Sequence, residues 1–173
     1  MNVDARRERF ASIAPVVIDA VRRYLARRTD PATADDVLSE TLLVCWRRRD
    51  VMPAEHLPWA YGIARHCLAN AERGRRRQAR LAARIAVLDP PPQAIDGPAP
   101  ADDELAVALR AMRAEDAELL RLWAWEDLSP AQIAVVLGVS VNAATIRLHR
   151  AKQRLRKLLA PAGHEDSTEG SRP

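Results

Sequence analysis

Leu128-Ser129-Pro130-Ala131-Gln132-Ile133-Ala134-Val135-Val136-Leu137-Gly138-Val139-Ser140-Val141-Asn142-Ala143-Ala144-Thr145-Ile146-Arg147 is the stretch that decides the fold. Ser129 has the chemistry of a helix N-cap, and Pro130 suits the first turn that follows it. Ile133, Ala134 and Leu137 then fall at helical spacing, and Gly138 supplies the positive φ that ends the helix. A second helix starts within a few residues. Two helices joined by so tight a turn, with small Ala134 where they cross, form the helix-turn-helix pattern, whose second helix enters a major groove.

The second helix is expected to continue through Arg147 to Leu159, and no acid occurs from Gly138 to Ala160. Leu148, Ala151, Leu155 and Leu158 repeat at three and four residues and are expected to face the core. Arg147, His149, Arg150, Lys152 and Arg154 are left on or beside the exposed face. Arginine there can grip a guanine edge bidentately or neutralise phosphates. Upstream, helices are expected near Glu104 to Met112 and Ala114 to Trp125. Trp123 and Trp125 read as core or domain-contact residues.

Asp89-Pro90-Pro91-Pro92 through Asp96-Gly97-Pro98-Ala99-Pro100 to Asp102-Asp103-Glu104 cannot hold a helix, because proline removes donors and fixes φ. It reads as a flexible, acidic, Pro-rich linker over 85–103 between two small helical domains at 5–84 and 104–160. A tail at 161–173 reads as disordered. In the first domain three helices are expected. The first runs from Asp4 to Arg28, with Phe10, Ile13, Val17, Val21, Tyr24 and Leu25 as its apolar stripe and Pro15 as a break or kink. The second runs from Asp30-Pro31 to Arg49, buries Val37, Leu38, Thr41, Leu42, Cys45 and Trp46, and turns Asp35, Asp36, Ser39 and Glu40 outward. The third starts at Pro58, carries Trp59, Ile63, Cys67 and Leu68, and dissolves into Arg73-Gly74-Arg75-Arg76-Arg77. Six arginines between Arg73 and Arg84 are too dense to be neutralised within their own helix, which points to a polyanion.

The 173 residues carry a net charge of +4, 48% apolar side chains and only 4% aromatics, with Ala, Leu and Arg abundant, so an all-α protein is expected. Cys45 and Cys67 have no metal or disulfide spacing and read as core residues. The charged N-terminus and the lack of a long apolar run point to a cytoplasmic protein without membrane insertion. His56, His149 and His164 stand without a second ligand at metal spacing, so no metal or cofactor is expected.

Ala34 to Arg47, Pro58 to Arg65 and Leu128 to Leu159, in that order, resemble the extracytoplasmic-function sigma factors of the sigma-70 family. The resemblance implies a region 2 that engages the polymerase clamp and the −10 promoter element, and a region 4 that engages the −35 element and the polymerase flap. Asp35, Asp36, Ser39 and Glu40 would then meet the clamp helices of the largest subunit of core RNA polymerase. The loop from Arg49 to Leu57 would shape a pocket for a flipped −10 base. Trp59, Tyr61, Arg65, His66, Arg73, Arg75, Arg76 and Arg77 would track the opened strand, and Asn142, Thr145, Ile146, Arg147, His149, Arg150, Lys152 and Arg154 would meet the −35 duplex. Such a chain catalyses no reaction: binding energy shifts a duplex equilibrium. The resemblance also implies an anti-sigma partner.

Two departures bear on specificity. His66 stands where the family commonly has asparagine, and Asn142-Ala143-Ala144-Thr145-Ile146 replaces the usual Gly-Thr-Val opening of the recognition helix. Thr145 cannot copy an arginine's bidentate contact to guanine, though it can meet a thymine methyl. A free-standing helix-turn-helix regulator would explain the second half but gives the first no purpose. A nuclease would need clustered carboxylates or histidines beside the basic patches, and none accompanies them.

Overall fold

The computed structural model describes residues 3–86 and 104–160, with side chains over 7–83 and 104–160. Its elements run α1 Val3–Ala26, α2 Pro31–Arg47, a 3-10 turn at Arg49–Val51, α3 His56–Ala86, α4 Glu104–Ala111, α5 Ala114–Ala124, α6 Pro130–Leu137 and α7 Val141–Leu159. There is no strand among the described residues. Of the linker expected over 85–103, positions 85 and 86 belong to the end of α3, and the rest, like the tail from 161, lies outside the described residues.

In the first half, α1, α2 and α3 pack pairwise into a three-helix bundle. Phe10, Val17, Val21, Tyr24 and Leu25 of α1 are buried, as their spacing predicts. Pro15 does not break this helix; Phe10 and Val17 on either side of it bury into one core, and that packing carries the helix across the missing donor. At α2 the Asp30 carboxylate accepts from the Thr33 amide at 2.9 Å and the Thr33 hydroxyl at 2.7 Å, which together hold its pKa down to about 2. Phe10 meets the edge of Trp46, with ring centroids 5.5 Å apart.

α3 is longer than its sequence suggests at both ends. Its arginines, alanines and leucine beyond position 74 are strong helix formers, and Gly74 before them costs only about 1 kcal/mol. In the second half Ser129 and Gln132 form a reciprocal capping box, and Gly138 takes φ 65° at the end of α6. The Val139 amide also reaches the Ala134 carbonyl, at 3.1 Å. α6 and α7 cross at 105°, within the range of a helix-turn-helix. Leu148 and Ala151 are buried, but Leu158 is 44% exposed: at the last turn of α7 the apolar repeat continues past the core that covers it. No single described helix is long and apolar enough to cross a membrane.

The halves touch. α6 lies on α3, and a β-carbon at Gly62 would stand 3.6 Å from the Val136 carbonyl oxygen, an ordinary contact distance, so the two backbones run close at this point. Beside this contact, Arg28 donates from Nε to both Glu118 oxygens at 3.2 Å and from Nη1 to Glu126 at 3.0 Å. The Tyr24 hydroxyl donates to Glu118 at 3.2 Å, and Arg27 reaches Glu126 at 3.3 Å. Burial, reinforced by Glu118, pushes the Tyr24 hydroxyl well above its usual range.

Both cysteines are buried and free. Burial, with a smaller effect of nearby Cys67, pushes the Cys45 thiol up from 9.0 to about 11. Both states hold the proton below pH 9. Above it the unfolded chain ionises first, so this thiol's contribution to stability is lost as pH rises from 9 to 11. We expect the denaturant midpoint to fall across that window, and neither thiol to react with a thiol reagent at pH 8 until the chain unfolds. Labelling of the native protein as fast as of the denatured one would contradict this burial.

Candidate nucleic-acid interface

α7 begins at Ser140, whose side chain caps it by accepting from the Ala143 amide at 3.2 Å. Its buried side is Ala144, Leu148 and Ala151. The opposite side leaves Asn142, Thr145, Ile146, Arg147, His149 and Arg150 exposed. The Thr145 hydroxyl donates to its own helix at the Val141 carbonyl, 2.9 Å away, which leaves its methyl and the oxygen's acceptor lone pairs for a partner. His149 shares a 3.0 Å hydrogen bond with the Gln153 amide.

The remaining two cations of this set are already engaged. Lys152 sits 3.4 Å over the Trp123 ring, and Arg154 pairs with Asp116. Trp123 is exposed on α5, outside the core, and serves as a platform for that lysine. Trp125 meets Arg27 of the first half, 5.8 Å from the ring centroid, so it is a contact between the halves.

On α2, one face buries Val37, Leu38, Thr41 and Cys45. Asp35, Asp36, Ser39 and Glu40 lie together on the exposed side. Ser39 donates to the Asp35 carbonyl at 3.0 Å, and the three acids make no ion pair with a described residue. This is a compact anionic strip on a rigid helix, free to meet a basic partner.

The residues expected along α3 divide. His66, Arg73, Arg75, Arg76 and Arg77 are exposed, with Arg73 bonded to Asn70 and Arg75 paired to Asp30 at 3.0 Å. Trp59 is half-buried against the core. Tyr61 is not on the surface: it is 4% exposed and packs on Tyr24 with ring centroids 5.3 Å apart. Its position on α3 points into the seam between halves, beside Trp125 and Glu126. Arg65 also faces the seam. It lines a cleft of about 140 Å³ with Glu115, Asp116, Glu118 and Arg147, so one residue from each expected DNA surface meets there.

Sequence reasoning missed Arg27, Arg28, Glu118 and Glu126. Arg28 and Glu126 are 98 residues apart, and no local pattern announces such a pair.

The family model for sigma-70 region 4 matches residues 102–155. Among curated proteins, the chain is 31% identical over 147 residues to ECF RNA polymerase sigma factor SigL of Mycobacterium tuberculosis, covering 82% of this chain and 83% of that protein. It is also 31% identical over 160 residues to RNA polymerase sigma factor CarQ of Myxococcus xanthus, covering 90% of each. Among solved structures, the sigma factor RpoE in complex with the anti-sigma factor NepR from Bartonella quintana superposes with TM-score 0.63 at 20% identity, over 90% of this chain and 99% of that one. CnrH in complex with the cytosolic domain of CnrY superposes with TM-score 0.56 at 22% identity, over 94% and 92%. These last two similarities speak to the fold.

Proposed function

Because the chain belongs to the ECF sigma factors of RNA polymerase, we propose that it delivers core polymerase to promoters through three separate surfaces of its own. The acidic strip Asp35, Asp36, Ser39 and Glu40 docks on the basic clamp helices of the largest subunit. The exposed face of α7 from Asn142 to Arg150 reads the −35 duplex, and the same half reaches the flap. The arginine-rich side of α3 and the loop before it hold the opened −10 strand, with His66 in place of the amide the family commonly uses.

One observation carries this reading: an unpaired acidic strip and two cationic helix faces lie on different elements of one small protein. A lone DNA-binding module has use for the cations but not for the strip. Flipping and unstacking a base costs a few kcal/mol, and the arginines beyond Glu72 would offset that cost by phosphate contacts made only with the opened strand. No chemical step is required of the chain. It works where polymerase works, in the cytoplasm, and an anti-sigma protein is its inhibitory partner.

Run-off transcription from a genomic promoter library, by core polymerase with and without the purified chain, tests the proposal. Defined promoters should fire only when the chain is present, and their shared −35 and −10 sequences would report what Thr145 and His66 select. If core polymerase neither binds the chain nor initiates with it, the reading fails.

A further inference from the structure

We propose that the cleft bounded by the end of α1, the middle of α3 and the start of α5 is a binding site for a small phosphorylated anion, with a diphosphate group as the part it grips.

The cleft has a volume of about 530 Å³, a size common among small-molecule sites. Arg27, Arg28, Arg65, Arg73 and Arg121 line it, against Glu72, Glu115 and Glu118. Glu126, outside the lining, accepts from Arg27 and Arg28, and the cations remain in excess.

Two donors at this cleft lack an acceptor. Nη2 of Arg28 and Nε of Arg121 are buried and make no hydrogen bond to a described residue. The Arg28 side chain is only 5% exposed. Its Nε is committed to Glu118, and its Nη1 to Glu126 and the Tyr24 carbonyl. A guanidinium held on two sides cannot turn its third arm toward another acceptor, so that arm is a donor already in place. Leaving such a group unmet costs free energy, and an oxyanion brought to it recovers that cost along with a charge-assisted bond.

The start of α5 meets the same cleft. Ala114, its first residue, lines the wall, and Arg113 before it provides no side-chain cap. The first amides of α5 therefore lack the capping oxygen that Ser129 and Ser140 give to α6 and α7, and helix amides in that state favour an anion. Asp116 of this turn is taken by Arg154.

Phosphate suits the arrangement better than carboxylate. Guanidiniums pair with it bidentately, and donors arriving from separate helices need more oxygens, spread over a longer group, than one carboxylate has. Leu68, Ala69 and Ala114 make part of the wall apolar, where the organic part of a nucleotide can lie. Arg65, His66 and Arg73 are shared with the surface proposed for the opened strand, whereas Arg28, Arg121 and Ala114 are not.

Calorimetry and the thermal midpoint of the full chain test the site, with inorganic pyrophosphate, ADP and adenosine as probes and a labelled single-stranded oligonucleotide for comparison. Arg121→Lys keeps the charge but removes the unmet Nε donor and the planar fork. Ala114→Trp fills the cleft from an exposed position and alters no charge. Circular dichroism checks that both variants stay folded.

Pyrophosphate and ADP should bind the wild-type chain and raise its midpoint, while adenosine should do neither. Each variant should weaken both phosphates by about tenfold or more. Tighter binding of ADP than of pyrophosphate supports the site with a nucleotide as its source, and the reverse supports it with a free diphosphate. Failure of both phosphates to bind, or unchanged affinity in both variants, would overturn the proposal. So would an oligonucleotide weakened as much as the phosphates, since the cleft would then be part of the strand surface.

Discussion

Asp35→Lys combined with Asp36→Lys is expected to abolish initiation by core polymerase while leaving the chain folded. Both side chains are exposed and lie opposite the buried face of α2, so the core does not register the change. Asp30, which caps the helix, is untouched. At the proposed interface, however, each reversal replaces an attraction by a like-charge contact, and such contacts cost several kcal/mol. A loss of more than about hundredfold in affinity for core polymerase follows. Competition against a labelled wild-type chain measures it, with circular dichroism as the control for folding and duplex binding as the control for α7. An initiating double variant would remove the acidic strip from the polymerase interface.

Much of this molecule is legible in its sequence because helical spacing and helix ends are local matters. Val17, Val21, Tyr24 and Leu25 recur at three and four residues and are all buried. Ser129 and Gly138 bracket α6 with the cap and the left-handed turn expected of them. The acidic strip is equally plain, since Val37, Leu38, Thr41 and Cys45 fix which way the other side of α2 faces.

The seam was illegible for the opposite reason. Tyr61 shares a turn with Trp59 in an apparently single aromatic and basic run, and only the placement of α1 and α6 decides that it is core. Arg28 looks like any cation at the end of a helix until Glu118, 90 residues later, arrives beside it. The extent of α3 is hidden for another reason: its run of arginines stands out as charge, while the same residues have high helix propensity and carry the helix on.

That difference between local and assembled information matters most on α7, where sequence presents Arg147, Arg150, Lys152 and Arg154 as equals. Arg147 and Arg150 are exposed and make no ion pair with a described residue. Lys152 lies over Trp123, and Arg154 is held by Asp116. A cation already engaged, whether over a ring or by a carboxylate, gains less from a phosphate, because the old partner must be given up first. Alanine at Arg147 or Arg150 should therefore cost about 1–3 kcal/mol each at a cognate −35 site where the residue reads a base, or lower the salt slope by about 1 with sequence preference intact where it touches only phosphate. The double alanine variant should weaken the cognate duplex by roughly hundredfold. Lys152→Ala and Arg154→Ala should each fall short of tenfold, and Asp116→Asn should strengthen duplex binding slightly by releasing Arg154. Titration of a cognate duplex across a series of salt concentrations separates these cases. Equal losses at all four positions would mean that the contacts with Trp123 and Asp116 do not hold in solution, and that the whole basic face of α7 meets DNA as one undivided surface.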